Sequence, residues 1–134
     1  GKASFATCAA CHGQQGEGNV AMNAPSLAVL PPWYIARQIE HFKLGIRGAN
    51  EADEFGRQMA PMANMLTDDS AVRNITAYIE TLEPGATIGT ISGDPQQGAA
   101  YYVTCGTCHG AKAQGNYALQ APCLAGQDDW YLKR

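Results

Sequence analysis

Apolar side chains return along this chain with a helical period and never with a strand's period of two. Ile35, Ile39, Phe42 and Ile46 fall at i, i+4, i+7 and i+11, which predicts an amphipathic helix over residues 33–46. Pro31 and Pro32 suit its first turn, and Gly45 and Gly48 mark its end. Val72, Ile75, Ile79 and Leu82 make a second apolar face. Thr67 is its expected N-cap, with Asp68 and Asp69 in the first turn, where the helix dipole favours acids. Pro84–Gly85 stops that helix. At the start of the chain Phe5, Cys8 and His12 fall at i, i+3 and i+7, a third helical stripe that carries sulfur and imidazole. The stretch GQQGEGNVAMNAPSLA reads as loop, and QMAPMANML as extended, proline-containing chain. The expected fold is all-α. Three helices and long loops make a thin core for about 80 residues, one that a large apolar group would fill.

The same pattern returns 97 positions later. Without a gap, Gly1 to Arg37 aligns with Gly98 to Arg134, with identities at Thr7/Thr104, His12/His109, Gly13/Gly110, Gly18/Gly115, Asn19/Asn116, Pro25/Pro122, Trp33/Trp130, Tyr34/Tyr131 and Arg37/Arg134. A match of this length is duplication of a domain, not of a motif. The predicted organisation is a first domain over 1–83, a linker over 84–97, and the N-terminal part of a second domain over 98–134. The second copy reaches only the first turn of its next long helix. The expectation is therefore a longer polypeptide whose tail supplies the rest, or else a partner chain that completes the fold.

Composition narrows the chemistry. Charged residues make up 16% of the 134 residues and the net charge is −3. With no basic patch interleaved with aromatics, a nucleic-acid partner is excluded. No apolar run approaches the about 18 residues of a membrane span. The five cysteines are an odd number, so a pure disulfide framework leaves one over.

Four of the five form Cys8-Ala9-Ala10-Cys11-His12 and Cys105-Gly106-Thr107-Cys108-His109. A thioredoxin-like dithiol wants a strand before it, whereas GKASFAT reads as helix. A tetrathiolate zinc cage from Cys8, Cys11, Cys105 and Cys108 leaves both histidines without a task. Covalent attachment of haem c gives both thiols and the histidine of each motif a task. Residues three apart share a helix face, so both thiols reach one edge of a porphyrin, and the next residue turns an imidazole toward the iron. The reading is two covalently bound haems, through Cys8 and Cys11 and through Cys105 and Cys108, with His12 and His109 as iron ligands. For the sixth position of the first iron the candidates are Met22, His41, Met59, Met62 and Met65. His41 is expected on the polar side of its helix, and Met22 lies close to the attachment loop. The cluster at 59–65 can approach the face opposite His12, and methionine is a soft ligand that raises the potential. Spacing alone does not choose between Met59 and Met62. Cys123, the odd cysteine, stands where the first copy has Ser26 and reads as a small, partly buried residue.

The two C-x-x-C-H-G motifs, the proline a dozen residues after each, WYIARQIEHFKLG, MAPM and LTDDSAVRNITAYI together resemble the dihaem cytochromes c of the c4 type. The resemblance covers essentially the whole chain. It implies two tandem class I cytochrome c domains whose haems face each other across the domain interface. It implies Met59, eight residues before Thr67, as the axial methionine. It implies that the Pro25 and Pro122 carbonyls accept the Nδ1 protons of the histidines, which would fix each ring and raise its basicity. It further implies a periplasmic, often membrane-associated electron carrier between a respiratory donor complex and a terminal oxidase or reductase. Two other readings compete: a haem enzyme or gas-binding module, peroxidase-like, with an open iron in the second domain, and the electron-entry subunit of a larger oxidoreductase. Glu51, Asp53 and Glu54, the densest acidic stretch, read as solvated loop or as a docking patch.

Overall fold

Helix α1 (Lys2–His12) carries the first pair of cysteines and ends at Gly13, whose φ of 86° takes the chain out of the helix. A loop with one 3₁₀ turn (Val20–Met22) leads to α2 (Pro32–Lys43), which starts on Pro32 as its first residue and ends before Gly45. Then come α3 (Glu54–Asn64) and α4 (Asp69–Glu80). The second copy contributes α5 (Pro95–His109) and the short α6 (Asp129–Lys133). This computed structural model describes all residues, Gly1–Arg134, and contains no strand, only two isolated antiparallel bridges, Asn19–Ala24 and Asn116–Ala121.

The all-α expectation holds, with four differences in detail. The helix expected over 33–46 stops at Lys43, so Ile46 lies past its end, exposed, and is not part of the buried stripe. The last helix of the first copy is capped by Asp68, whose carboxylate accepts from Ala71 N at 2.8 Å, and not by Thr67. A carboxylate outcompetes the threonine hydroxyl as acceptor at that end, because it carries full charge at the positive pole of the helix. The stretch holding Met59 is helical, not extended: Asp53 caps α3 through Gly56 N, and Pro61 is accommodated inside it. Pro61 gives up a hydrogen bond to the Arg57 carbonyl, a cost of about 3 kcal/mol in an isolated helix. Packing of α3 on α2 offsets it. Finally α5 begins at Pro95 with Asp94 as its cap, inside the stretch that reads as linker.

The core is made by the first copy. Phe5 and Ala9 of α1, Ile35, Ile39 and Phe42 of α2, Ala63 of α3, and Ile75 and Ile79 of α4 form one buried cluster. Helix α4 closes over α1, where Phe5 meets Tyr78 with ring centroids 5.3 Å apart. None of the residues of α5 is buried.

The two copies meet through contacts that largely obey the internal repeat. Arg37 donates to Gln120 (3.0 Å to Oε1, 3.2 Å to O) while Arg134 donates to Asn23 Oδ1 at 2.9 Å. Arg37 is the repeat equivalent of Arg134, and Asn23 of Gln120, so each half gives what it receives, as in an isologous dimer interface. Each arginine lies over its own tryptophan, Arg37 at 4.9 Å from Trp33 and Arg134 at 5.1 Å from Trp130. Two further bonds break the symmetry. Asp128 Oδ2 accepts from Ser26 N at 2.9 Å, and the buried Gln127 donates through Nε2 to Ser26 O at 3.0 Å. The first copy has Pro31 and Leu30 at those positions, which can make no such bonds in return.

Candidate functional site

The loop after α1 is shaped by a handful of backbone bonds. Gly18 N donates to His12 O at 2.8 Å, Asn19 N to Ala24 O at 2.7 Å, and Leu27 N to Gly16 O at 2.8 Å. The loop thereby folds back over the end of the helix. Gly18 is required twice over: its φ is 90°, and a Cβ there would stand 2.7 Å from Ser26 N. The result sets the Pro25 carbonyl 2.7 Å from His12 Nδ1. Nδ1 is then the donor, and the lone pair of Nε2 is left for another partner. Burial pushes the His12 pKa down, with the bond to Pro25 opposing, so burial favours the neutral imidazole.

His12 faces a cleft with two lobes. One, of about 320 Å³, is apolar: Cys8, Cys11, Ile35, Ile39, Ile75 and Ile79 line it, with Met59, Met62, Met65 and Leu66 on the side of α3. The other, of about 170 Å³, shares Cys11, His12, Ile35, Ile39 and Met59 but has a polar rim: Asn23, Tyr34, Gln38, Arg47 and, from the second copy, Tyr131 and Arg134. Burial pushes the Cys8 thiol pKa up. It also pushes up the Tyr34 hydroxyl, with Tyr131 adding to the rise and Arg47 and Arg37 opposing it.

Among the methionines, Met59 borders both lobes and lies partly buried against the core. Met62 is 44% exposed and borders the apolar lobe alone; Met65 is exposed more, and Met22 touches only the polar lobe. His41 is half-buried rather than exposed and lines neither lobe. Asp53 belongs to the fold: it takes bonds from Gly48 N and Gly56 N at 2.9 Å each, which ties down the approach to α3. Sequence reasoning missed the polar rim. Arg47 and Gln38 lie nine residues apart and meet at 2.7 Å (Nη1 to Oε1), a pairing no periodicity announces.

The second attachment loop repeats the first. Gly115 N donates to His109 O at 2.8 Å, Asn116 N to Ala121 O at 2.8 Å, and Leu124 N to Ala113 O at 2.9 Å, and the Pro122 carbonyl lies 2.8 Å from His109 Nδ1. Asn23 and Gln120 share a left-handed backbone, with φ of 53° and 55°. Here Cys105 and Cys108 are exposed and His109 is half-buried. Cys123 is half-buried beside the boundary between the copies, its Sγ 3.4 Å from Ala125 O.

A flat, largely apolar macrocycle bound through two thiols and an imidazole matches the first cleft. Thiols and His12 line one wall, aliphatic side chains hold the flanks, and a thioether stands on α3. A sequence model of cytochrome c matches residues 1–83. The chain belongs to the cytochrome c family. Covalently bound haem c is the group of that family, and the fold is of its class I, two-domain kind. The chain is 36% identical over 139 residues to a cytochrome c4 from Thiocapsa roseopersicina, covering 95% of this chain and 66% of that protein. It is 33% identical over 142 residues to a thiosulfate dehydrogenase electron acceptor from Thiomonas intermedia, covering 96% of this chain and 60% of that protein. Among solved structures, reduced recombinant cytochrome c4 from Pseudomonas stutzeri matches with a TM-score of 0.75 at 27% identity, over 97% of this chain and 73% of that one. The chain thus spans about two thirds or less of the curated relatives it matches, and these similarities are consistent with a dihaem cytochrome of the c4 type.

Proposed function

We propose that this protein carries single electrons between a respiratory donor and a terminal oxidase or reductase in the periplasm, with two haems c, and is not itself an enzyme. Bound haem supplies reversible one-electron exchange at its iron. The chain's own residues tether, orient and shield it. Cys8 and Cys11 hold one haem by thioether bonds, Cys105 and Cys108 the other. Pro25 and Pro122 hold the Nδ1 protons of His12 and His109, which would leave each Nε2 to ligate a haem iron. Met59 would be the second protein ligand of the first iron, and Ile35, Ile39, Ile75 and Ile79 would keep water from it. The first domain is residues 1–83, with a linker over 84–97 and the N-terminal part of a second domain over 98–134.

The observation that carries this reading is Met59, the one methionine that borders both lobes of the cleft that His12 also borders. In the first copy, ligation by both His12 and Met59 would leave a substrate no place at the iron, which favours a carrier over an enzyme there. The relatives named cytochrome c4 and electron acceptor agree with this in kind. A redox protein is the partner expected. No helix is long and apolar enough to cross a membrane. Intact mass under denaturing conditions is the test. Two haem masses retained on the chain support the reading, and free thiols at the four motif cysteines would refute it.

A further inference from the structure

The polar lobe of the first cleft is only partly built by the first copy. Two cations border it. Arg47 belongs to the same copy, and its guanidinium lies 4.6 Å from the Phe42 ring centroid and donates to Gln38. The other is Arg134, which reaches across the boundary, lies 4.0 Å from the Phe55 ring centroid and donates to Asn23. Asp53, the one carboxylate on this rim, is already bonded to two backbone N–H groups.

Haem c is itself two-sided. One edge carries the two carbons that take thioether bonds, and another carries two carboxylates. Cys8 and Cys11 both line the apolar lobe, and only Cys11 touches the polar one. A haem tethered by both thiols therefore keeps its apolar edge in the aliphatic lobe, which leaves the rim of arginines, tyrosines and amides as the surroundings that suit its carboxylates. Buried carboxylates need cations or hydrogen-bond donors to remain charged.

We infer that Arg134 of the second copy is a positioning residue for the first haem: together with Arg47 it neutralises the haem carboxylates, so that docking of one copy on the other sets the first haem's potential. The inference rests on the proposed attachment through Cys8 and Cys11 and adds a function to the interface. A cation in this half-shielded lobe disfavours the ferric form, which carries one more positive charge. Its removal lowers the midpoint potential of the first haem.

The competing role for Arg134 is a staple that merely holds the copies together through Asn23, and three variants of the haem-loaded protein separate the two. Arg134→Gln takes away charge and bond. Arg134→Lys keeps the charge without the planar guanidinium. Arg37→Gln removes the equivalent cross-boundary bond to Gln120 from a residue that does not line the first cleft. The reading is a redox titration followed by paramagnetic NMR, in which each haem's methyl shifts are tied to its own cysteines. Arg134→Gln is expected to lower the potential of the first haem, Arg134→Lys to restore most of it, and Arg37→Gln to leave it in place. No shift in Arg134→Gln, or the same shift in Arg37→Gln, overturns the inference. Loss of the haem itself from the unsubstituted chain would instead count against the attachment through Cys8 and Cys11.

Discussion

His12 and His109 reach a proline carbonyl thirteen residues on, at 2.7 and 2.8 Å, through loops whose equivalent backbone bonds agree within 0.2 Å. Their surroundings differ. His12 is 6% exposed beneath α2, α3 and α4, whereas His109 is half-buried and both of its cysteines lie open. Phe5 is sunk against Tyr78, but its repeat equivalent Tyr102 bonds through its hydroxyl to the Gly110 carbonyl at 2.8 Å and satisfies itself locally. The attachment loop is thus a self-contained device, held by its own backbone bonds and four positive-φ positions in each copy. The pocket is not: it is a tertiary product of α2, α3 and α4, whose lining residues run from Tyr34 to Ile79.

The sharpest way to break this contrast is to remove attachment in one copy at a time. Cys8→Ser with Cys11→Ser should release one haem and with it the cooperative melting of residues 1–82, whose small core surrounds the cleft. Cys105→Ser with Cys108→Ser should release the other haem and leave that melting in place. Haem stoichiometry with far-UV circular dichroism reads both, and equal losses of melting would show that the two copies do not differ as described.

Core truncation gives the next largest effect. Ile75 is 1% exposed and Val103, on α5, 72%. Ile75→Ala is expected to cost about 2–5 kcal/mol and Val103→Ala within about 0.5 kcal/mol. Denaturant titration compares them, and similar midpoints would mean that α5 is covered by something.

Ligation separates Met59 from its neighbour. Met59→Ala should open the first iron to carbon monoxide and abolish the weak red absorption of a thioether-bound ferric haem, while Met62→Ala keeps both properties. The reverse result would move the ligand one turn along α3.

The smallest effect concerns the linker. Asp129 accepts from Thr90 Oγ1, Thr90 N and Ile91 N, a clasp for which the first copy, with Pro32 in that place, has no counterpart. The Thr90 hydroxyl first, then the Ile91 N–H, hold its pKa down to about 2, against about 3.9 for an unfolded aspartate. A depressed acid adds stability that is complete above the unfolded value and vanishes as pH falls through the folded one. The Thr90 and Ile91 amides should therefore stay protected from exchange on acidification until pH approaches about 2. Loss of protection near pH 4 would mean that the clasp does not form.

What was legible in the sequence followed from short-range chemistry. Two thiols and an imidazole at fixed spacing name their cofactor because the helix itself sets their relative positions. The stripe of Ile35, Ile39 and Phe42 declares a buried face, although periodicity overran the helix end at Ile46, where only Gly45 says stop. Caps were harder: Thr67 and Asp68 are both good candidates one residue apart, and the competition is decided by which side chain reaches Ala71 N. Helix α3 was the largest miss, because Pro61 argues against a helix locally while its packing on α2 outweighs that preference.

By itself the sequence determined the attachment loops, the repeat and the all-α class, since each depends on neighbours within about a dozen residues or on identity between two copies. Tertiary structure alone decided which methionine borders the whole cleft, that Asp53 is bound up in turns, and that Arg37 and Arg134 exchange places across the boundary. Those facts depend on where rigid helices come to rest against one another. That placement is settled by burial summed over the whole core, a quantity no local stretch of sequence carries.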